Sequence, residues 1–139
     1  MYWKEEFSVG IEDIDKQHRV LFEYFTLFEN SVANGANWSG LHFILIQLRD
    51  FARIHFAAEE ILMHLFAYPA AAAHIETHQA FFRKLKQLEQ ESLQTDVTQG
   101  TLEYLHHWLV THIVGEDKGY ARHIASGAPV VMSKSAVQA

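Results

Sequence analysis

His55-Phe56-Ala57-Ala58-Glu59-Glu60 lies inside residues 41–65, a long segment whose apolar residues recur with a helical period. On a helix, positions i and i+4 stand about 40° apart, so His55 and Glu59 project from one face. Ile44, Leu48, Phe51 and Leu62 fall on or near that face, which is otherwise apolar. A histidine and a carboxylate directed together into a core are costly unless something satisfies them. A hydrogen-bonded pair does so, and so does a metal ion. This stretch by itself leaves both readings open.

Working outward, 139 residues suit one domain with a single core. An apolar content of 49% argues against disorder. Eleven basic against seventeen acidic residues, with no basic cluster, disfavour nucleic acid or an anionic membrane surface as a partner. The chain has no cysteine, which excludes disulfides, thiolate metal sites and cysteine nucleophiles. Imidazole is the remaining soft-to-borderline ligand, and ten histidines make metal binding worth testing. No signal-peptide pattern opens the sequence and no apolar run reaches the roughly 18 residues of a membrane span, so the expected compartment is cytoplasmic.

The periodicity predicts four helices after an extended N-terminal arm, residues 1–11. The first starts at Glu12, with Glu12, Asp13 and Asp15 at its positive end, and stops at Asn34-Gly35. Its stripe reads Ile14, His18, Leu21, Phe22, Phe25, Phe28, Val32, with His18 at a core position. Asn37 or Ser39 caps the second, which runs to about Phe66. Pro69 precedes the third, about 70–92, where His74 and His78 share a face with Phe81, Phe82, Leu85 and Leu88. After a polar connection with Thr95 or Asp96 as cap, the fourth covers about 97–114, with the stripe Leu102, Leu105, Leu109, His112. A short helical piece, residues 118–124, and a mobile tail, 125–139, complete the expectation. The fold class is all-α, an antiparallel up-down four-helix bundle, with residues 1–124 as one domain.

Each helix therefore carries at least one histidine on its buried stripe. One core histidine is readily satisfied by a hydrogen bond. Five from four helices, with Glu59 among them, leave too many polar atoms for a core of this size, which decides for a metal. Asp117 is the exception to the helix rule: five residues past His112, it lies about 140° off the stripe unless the helix loosens near Gly115. Helical phase sets His42, His64, His106, His107 and His123 aside as solvated or rim residues, and Glu60 likewise.

Five imidazoles and two carboxylates exceed what one ion takes. They suit two six-coordinate ions bridged by carboxylates, which is chemistry for iron or manganese. The pattern, a solitary His18, then His-x-x-x-Glu, His-x-x-x-His and His-x-x-x-x-Asp, differs from the carboxylate-rich diiron oxidases with their Glu-x-x-His pairs. With Trp3, Phe7-Ser-Val-Gly-Ile, Asp15-Lys-Gln-His18, His55-Phe-Ala-Ala-Glu59-Glu-Ile-Leu-Met63, Tyr68-Pro69 and Trp108-Leu-Val-Thr-His112-Ile before Asp117 and Tyr120, the chain resembles the haemerythrin family, specifically the single-domain bacteriohaemerythrins, over about residues 3–120.

That resemblance implies a non-haem pair of Fe ions, oxo- or hydroxo-bridged, with O2 as reversible ligand. It implies His74, His78 and His112 on one iron, His18 and His55 on the other, and Glu59 and Asp117 across both. Leu109, Trp108, Ile113 and Phe56 neighbour these residues in sequence and are candidates for the wall of an O2 pocket, with ordinary core packing as the other reading. The implied function is oxygen carriage, storage or delivery, not enzymatic. The alternatives are an O2-sensing module acting through a separate partner, or a diiron oxidase or peroxidase.

Overall fold

The computed structural model describes residues 2–127. After a 3-10 turn at Glu5–Phe7, helices α1 (Glu12–Ala33), α2 (Trp38–Leu65), α3 (Ala71–Glu91) and α4 (Thr98–Trp108) follow in order. A π-helical segment, Leu109–Glu116, continues α4 without interruption into α5, Asp117–Ala125. The rod of α4, π segment and α5 is the fourth member of an all-α, antiparallel four-helix bundle, in which α1 packs against α2 and α4, and α2 against α3. No helix among the described residues is long and apolar enough to cross a membrane.

The boundaries follow from local chemistry. Gly35, at φ 78°, takes the left-handed conformation that ends α1, and the Ala36 N–H reaches back to the Ser31 carbonyl. The Asn37 side chain accepts from the Gly40 N–H and caps α2, so Asn37 rather than Ser39 is the cap. Asp96 accepts from the Thr98 N–H at the start of α4. In the first turn of α1, Asp15 does more than complement the helix end. It is buried, accepting from the Ser8 hydroxyl and, at 2.8 Å, from the Val9 N–H. That latch lays the arm along α1, where Phe7 stacks on Phe22 at 5.4 Å.

One expectation is refined and one corrected. The buried stripe of α2 is Leu41, Leu45, Leu48, Ala52, His55, Phe56, Glu59 and Met63. Ile44, Phe51 and Leu62 are half-buried at its edge and packed against the core, near the stripe as expected. Nor does the fourth helix stop near residue 114. Gly115 sits in the wide turn of the π segment, and the expected separate piece is the direct continuation α5. The mobile tail expected from residue 125 lies, from residue 128 on, outside the described residues.

The interior has three layers. A large apolar cluster contains Leu21, Phe22, Phe25, Leu45, Phe56, Phe81, Leu85, Trp108 and Leu109. At the other end Ile14, Met63, Tyr120 and Ala121 form a smaller one, joined by Val9, Ile11 and Ile124. Between them, at the same level on every helix, sit His18, His55, Glu59, His74, His78, His112 and Asp117, all buried.

Candidate metal centre

Three ordinary helices deliver five of these seven side chains. His18 comes singly from α1, His55 with Glu59 from α2, His74 with His78 from α3, and the i, i+4 spacing puts each pair on one face. His112 and Asp117 depend on the π segment. Its i→i+5 hydrogen bonding brings the sixth residue back over the first, so Asp117 returns to the face of His112, which an α-helix would deny it.

All five imidazoles point Nε2 inward. Asp117 Oδ1 stands 2.8 Å from His74 Nε2 and 3.1 Å from His112 Nε2, while its Oδ2 stands 3.0 Å from His18 Nε2. Glu59 Oε1 is 3.1 Å from His55 Nε2 and 3.4 Å from His78 Nε2, and its Oε2 is 3.8 Å from His18 Nε2. The donors form two overlapping groups, Glu59, His74, His78, His112, Asp117 and His18, His55, Glu59, Asp117, each with its atoms within 4.8 Å of one another. Donors on opposite sides of a first-row ion stand about 4.2 Å apart, since each bond is about 2.1 Å. Both groups have room for one ion, and both carboxylates belong to both groups.

Whether the residues suit metal is decided by what they lack. His18 Nδ1 and Nε2, His55 Nε2, Glu59 Oε1, His74 Nε2 and both oxygens of Asp117 are buried without a hydrogen-bond partner. Except for His18 Nδ1, on the outer side of its ring, they are near one another yet not aimed at one another, as donors around a common point must be. An unsatisfied buried polar group costs about 1–3 kcal/mol. Seven atoms of this kind approach the 5–15 kcal/mol or so that a whole domain has in hand, even after ion-pair attraction offsets part.

The outer ring nitrogens sharpen this. His55 Nδ1 faces Gln17 Oε1 at 2.7 Å, His78 Nδ1 faces Glu60 Oε2 at 2.9 Å, and His112 Nδ1 faces Glu116 Oε2 at 3.2 Å and Thr77 Oγ1 at 3.3 Å. The Thr77 hydroxyl already donates to the His74 carbonyl, so all these partners accept. The proton is therefore on Nδ1 and the Nε2 lone pair turns inward, the tautomer a ligand needs. His78 and His112 then bring two lone pairs within 3.1 Å, which calls for a proton or a cation between them.

Without an ion, protons fill that role. Burial opposes charge on His18, but the Asp117 and Glu59 carboxylates outweigh it and raise its pKa to about 9. Burial likewise opposes charge on His112, and Asp117, Glu116 and Glu59 overcome it, raising it to about 10. Burial pushes Glu59 up, yet the imidazoles of His55, His18 and His78 hold it well below the ordinary carboxylate range. Asp117 is also lowered: burial and then Glu59 oppose its charge, and His112 and His18 prevail. Tyr120, fully buried, donates to Glu59 Oε2 at 2.6 Å. Burial and the two carboxylates raise its hydroxyl far above the ordinary tyrosine range, so it stays a donor.

The other expected residues are placed as follows. His64, His106 and His107 are exposed; His42 lies 3.4 Å from Glu89 against the face of Trp38; His123 Nε2 contacts the Phe66 carbonyl at 2.7 Å. None belongs to either donor group. Phe56 stacks on His78 at 3.9 Å and Trp108 on His112 at 4.8 Å, so both back the three-histidine group. Leu109 and Ile113 are buried in the large apolar cluster. Sequence reasoning missed the outer partners. Gln17, Thr77, Glu116 and Glu60 were not singled out for this, and Glu60, expected to be solvated, keeps only a third of its side chain exposed while holding His78. The one available signal was adjacency: Gln17 and Glu60 each sit beside a candidate ligand.

Residues 9–124 match the model of the "Hemerythrin HHE cation binding domain". Among curated proteins, the chain is 28% identical over 128 residues to a "Bacteriohemerythrin" of Stenotrophomonas maltophilia, covering 89% of this chain and 81% of that protein. It is 28% identical over 125 residues to one of Clostridium acetobutylicum, covering 85% and 96%. A "Hemerythrin-like protein" of Naegleria gruberi is 30% identical over 118 residues, covering 85% and 88%. A family model that spans the whole bundle, matched by relatives of nearly the same extent, leads to one conclusion: this chain belongs to the haemerythrin family.

Proposed function

We propose that this protein binds O2 reversibly at a non-haem diiron centre and serves to carry, store or deliver oxygen rather than to catalyse a reaction. The observation that carries the reading is the layer of inward Nε2 and carboxylate atoms, orphaned in the protein alone and grouped for two ions. His74, His78 and His112 would hold one iron, His18 and His55 the other, with Glu59 and Asp117 common to both. The three-histidine position has the fuller donor set, which leaves the two-histidine position the one with room for a ligand. The chemistry that iron would supply there is reversible electron donation to O2.

The remaining roles fall to the protein. Gln17, Glu60, Thr77 and Glu116 hold the rings in the tautomer required. Tyr120 fixes Glu59 in place. Leu109, three residues before His112, and Ile113, directly after it, are apolar and keep water from the centre, while Phe56 and Trp108 hold the rings of His78 and His112. The buried titratable groups at this level all belong to the two donor groups, apart from Tyr120, which donates to Glu59, and this favours binding over acid–base turnover. The test is spectroscopic. Iron-loaded protein, reduced without air and then exposed to it, should gain a visible absorption band that argon removes and air restores through repeated cycles. A band that never forms, or forms once and bleaches, would overturn the reading.

A further inference from the structure

The two donor groups differ in what stands behind them. On the three-histidine side, His78 Nδ1 is backed by the Glu60 carboxylate at 2.9 Å and His112 Nδ1 by the Glu116 carboxylate at 3.2 Å. On the two-histidine side, His55 Nδ1 is backed at 2.7 Å by the amide oxygen of Gln17, which carries no charge. His18 Nδ1 is buried with no partner. An acceptor behind a ligating imidazole orients the ring, and a carboxylate there also makes the inward nitrogen a stronger donor. Glu60 and Glu116 keep 34% and 42% of their side chains exposed, so a carboxylate at either place meets no large desolvation cost.

We propose that Glu60 and Glu116 are positioning residues that make the three-histidine position the tighter of the two, filled first, while the position backed by Gln17 is weaker and filled second. The proposal rests on the two-ion reading above. It adds that the inequality comes from the outer carboxylates and not only from the number of histidines. Such outer partners change metal affinity by about 10–100-fold when removed.

Cobalt(II), added under argon to the full chain stripped of metal, separates the possibilities. At one equivalent, the proton NMR spectrum should contain three solvent-exchangeable, paramagnetically shifted ring N–H signals, for His74, His78 and His112. At two equivalents it should contain five. Glu60→Gln and Glu116→Gln should each weaken the first ion about tenfold or more and leave the second unchanged; Gln17→Glu should tighten the second. Helix content, followed by circular dichroism, should not move in any of the three. Two shifted signals at one equivalent, or both positions filling together, would overturn the proposal. So would Glu→Gln variants that weaken both ions equally or neither. Uptake that stops at one ion per chain would overturn the two-ion reading itself, and this inference with it.

Discussion

The same four helices build two interiors of opposite character. Towards the α1–α2 and α3–α4 connections, Phe25, Leu45, Leu48, Phe81, Leu85 and Leu105 close on one another with almost no polar atoms among them. One turn or two further along each helix, the side chains at the same inward positions are imidazoles and carboxylates. Among the described residues, the Thr101 hydroxyl is left without a hydrogen-bond partner inside the first end, with Trp3 Nε1, His42 Nε2 and Arg49 Nε likewise lacking one on half-buried residues outside either interior, against seven such atoms at the second. The apolar end is stabilised by its own burial. The polar end is completed only by something that is not amino acid, so its stability is linked to metal, while that of the apolar end is not.

One substitution in each region should separate the two ends most clearly. Glu59→Ala removes a carboxylate common to both donor groups, and the variant should bind no iron. With metal in thousandfold excess over its dissociation constant, the stabilisation forgone is on the order of 4 kcal/mol. Leu45→Ala should cost about 2–5 kcal/mol by leaving a cavity, yet keep its full iron content. Urea unfolding of both variants, with and without iron, checks the pair. A Leu45→Ala protein that loses iron would mean the two ends are not separable.

A pH series sharpens the same contrast in metal-free protein. His18 and His112, raised to about 9 and about 10, contribute stability that is complete below the unfolded histidine pKa near 6.5 and is lost as pH rises through 9–10. Glu59 and Asp117, both lowered, contribute stability that is present above the unfolded carboxylate values and is lost on acidification. The urea midpoint of metal-free protein should thus peak around pH 5–6.5 and fall towards alkali. With iron bound, the ions replace those protons and the alkaline fall should disappear. An alkaline fall of equal depth in both forms would detach it from the centre.

Much of this division was legible before any coordinates. Apolar periodicity located every helix, and inward histidines on four of them identified the polar layer. Asp117 was not deliverable by α-helical phase, since the π winding of Leu109–Glu116 is not written in residue spacing alone. The outer partners were hidden for a related reason. Glu60 reaches His78 across to α3, and Gln17 reaches His55 across to α2, so each depends on how neighbouring helices are rotated. Asp15 looked like an ordinary helix-end charge until the arm folded back to meet it.

Smaller effects test the border between the regions. Leu109→Asn places an amide where the large apolar cluster meets the centre. Burying it unpaired costs roughly 1–3 kcal/mol, so water should enter to satisfy it. The oxygenated form should then decay several-fold faster in air while iron content stays full. An unchanged decay would make Leu109 core packing alone. Smallest of all, His64→Ala, His106→Ala and His107→Ala should each shift stability by less than about 0.5 kcal/mol and leave iron and spectrum as they were, because these rings are exposed.

The central claim is that the polar layer is a place for two ions. The most direct measurement is the iron content of the full chain after anaerobic loading with iron(II) and removal of the excess, followed by the melting temperature before and after chelation. Two irons per chain are expected, with a loss of at least about 10 °C on chelation. One iron per chain, or a melting temperature indifferent to chelation, would contradict the account.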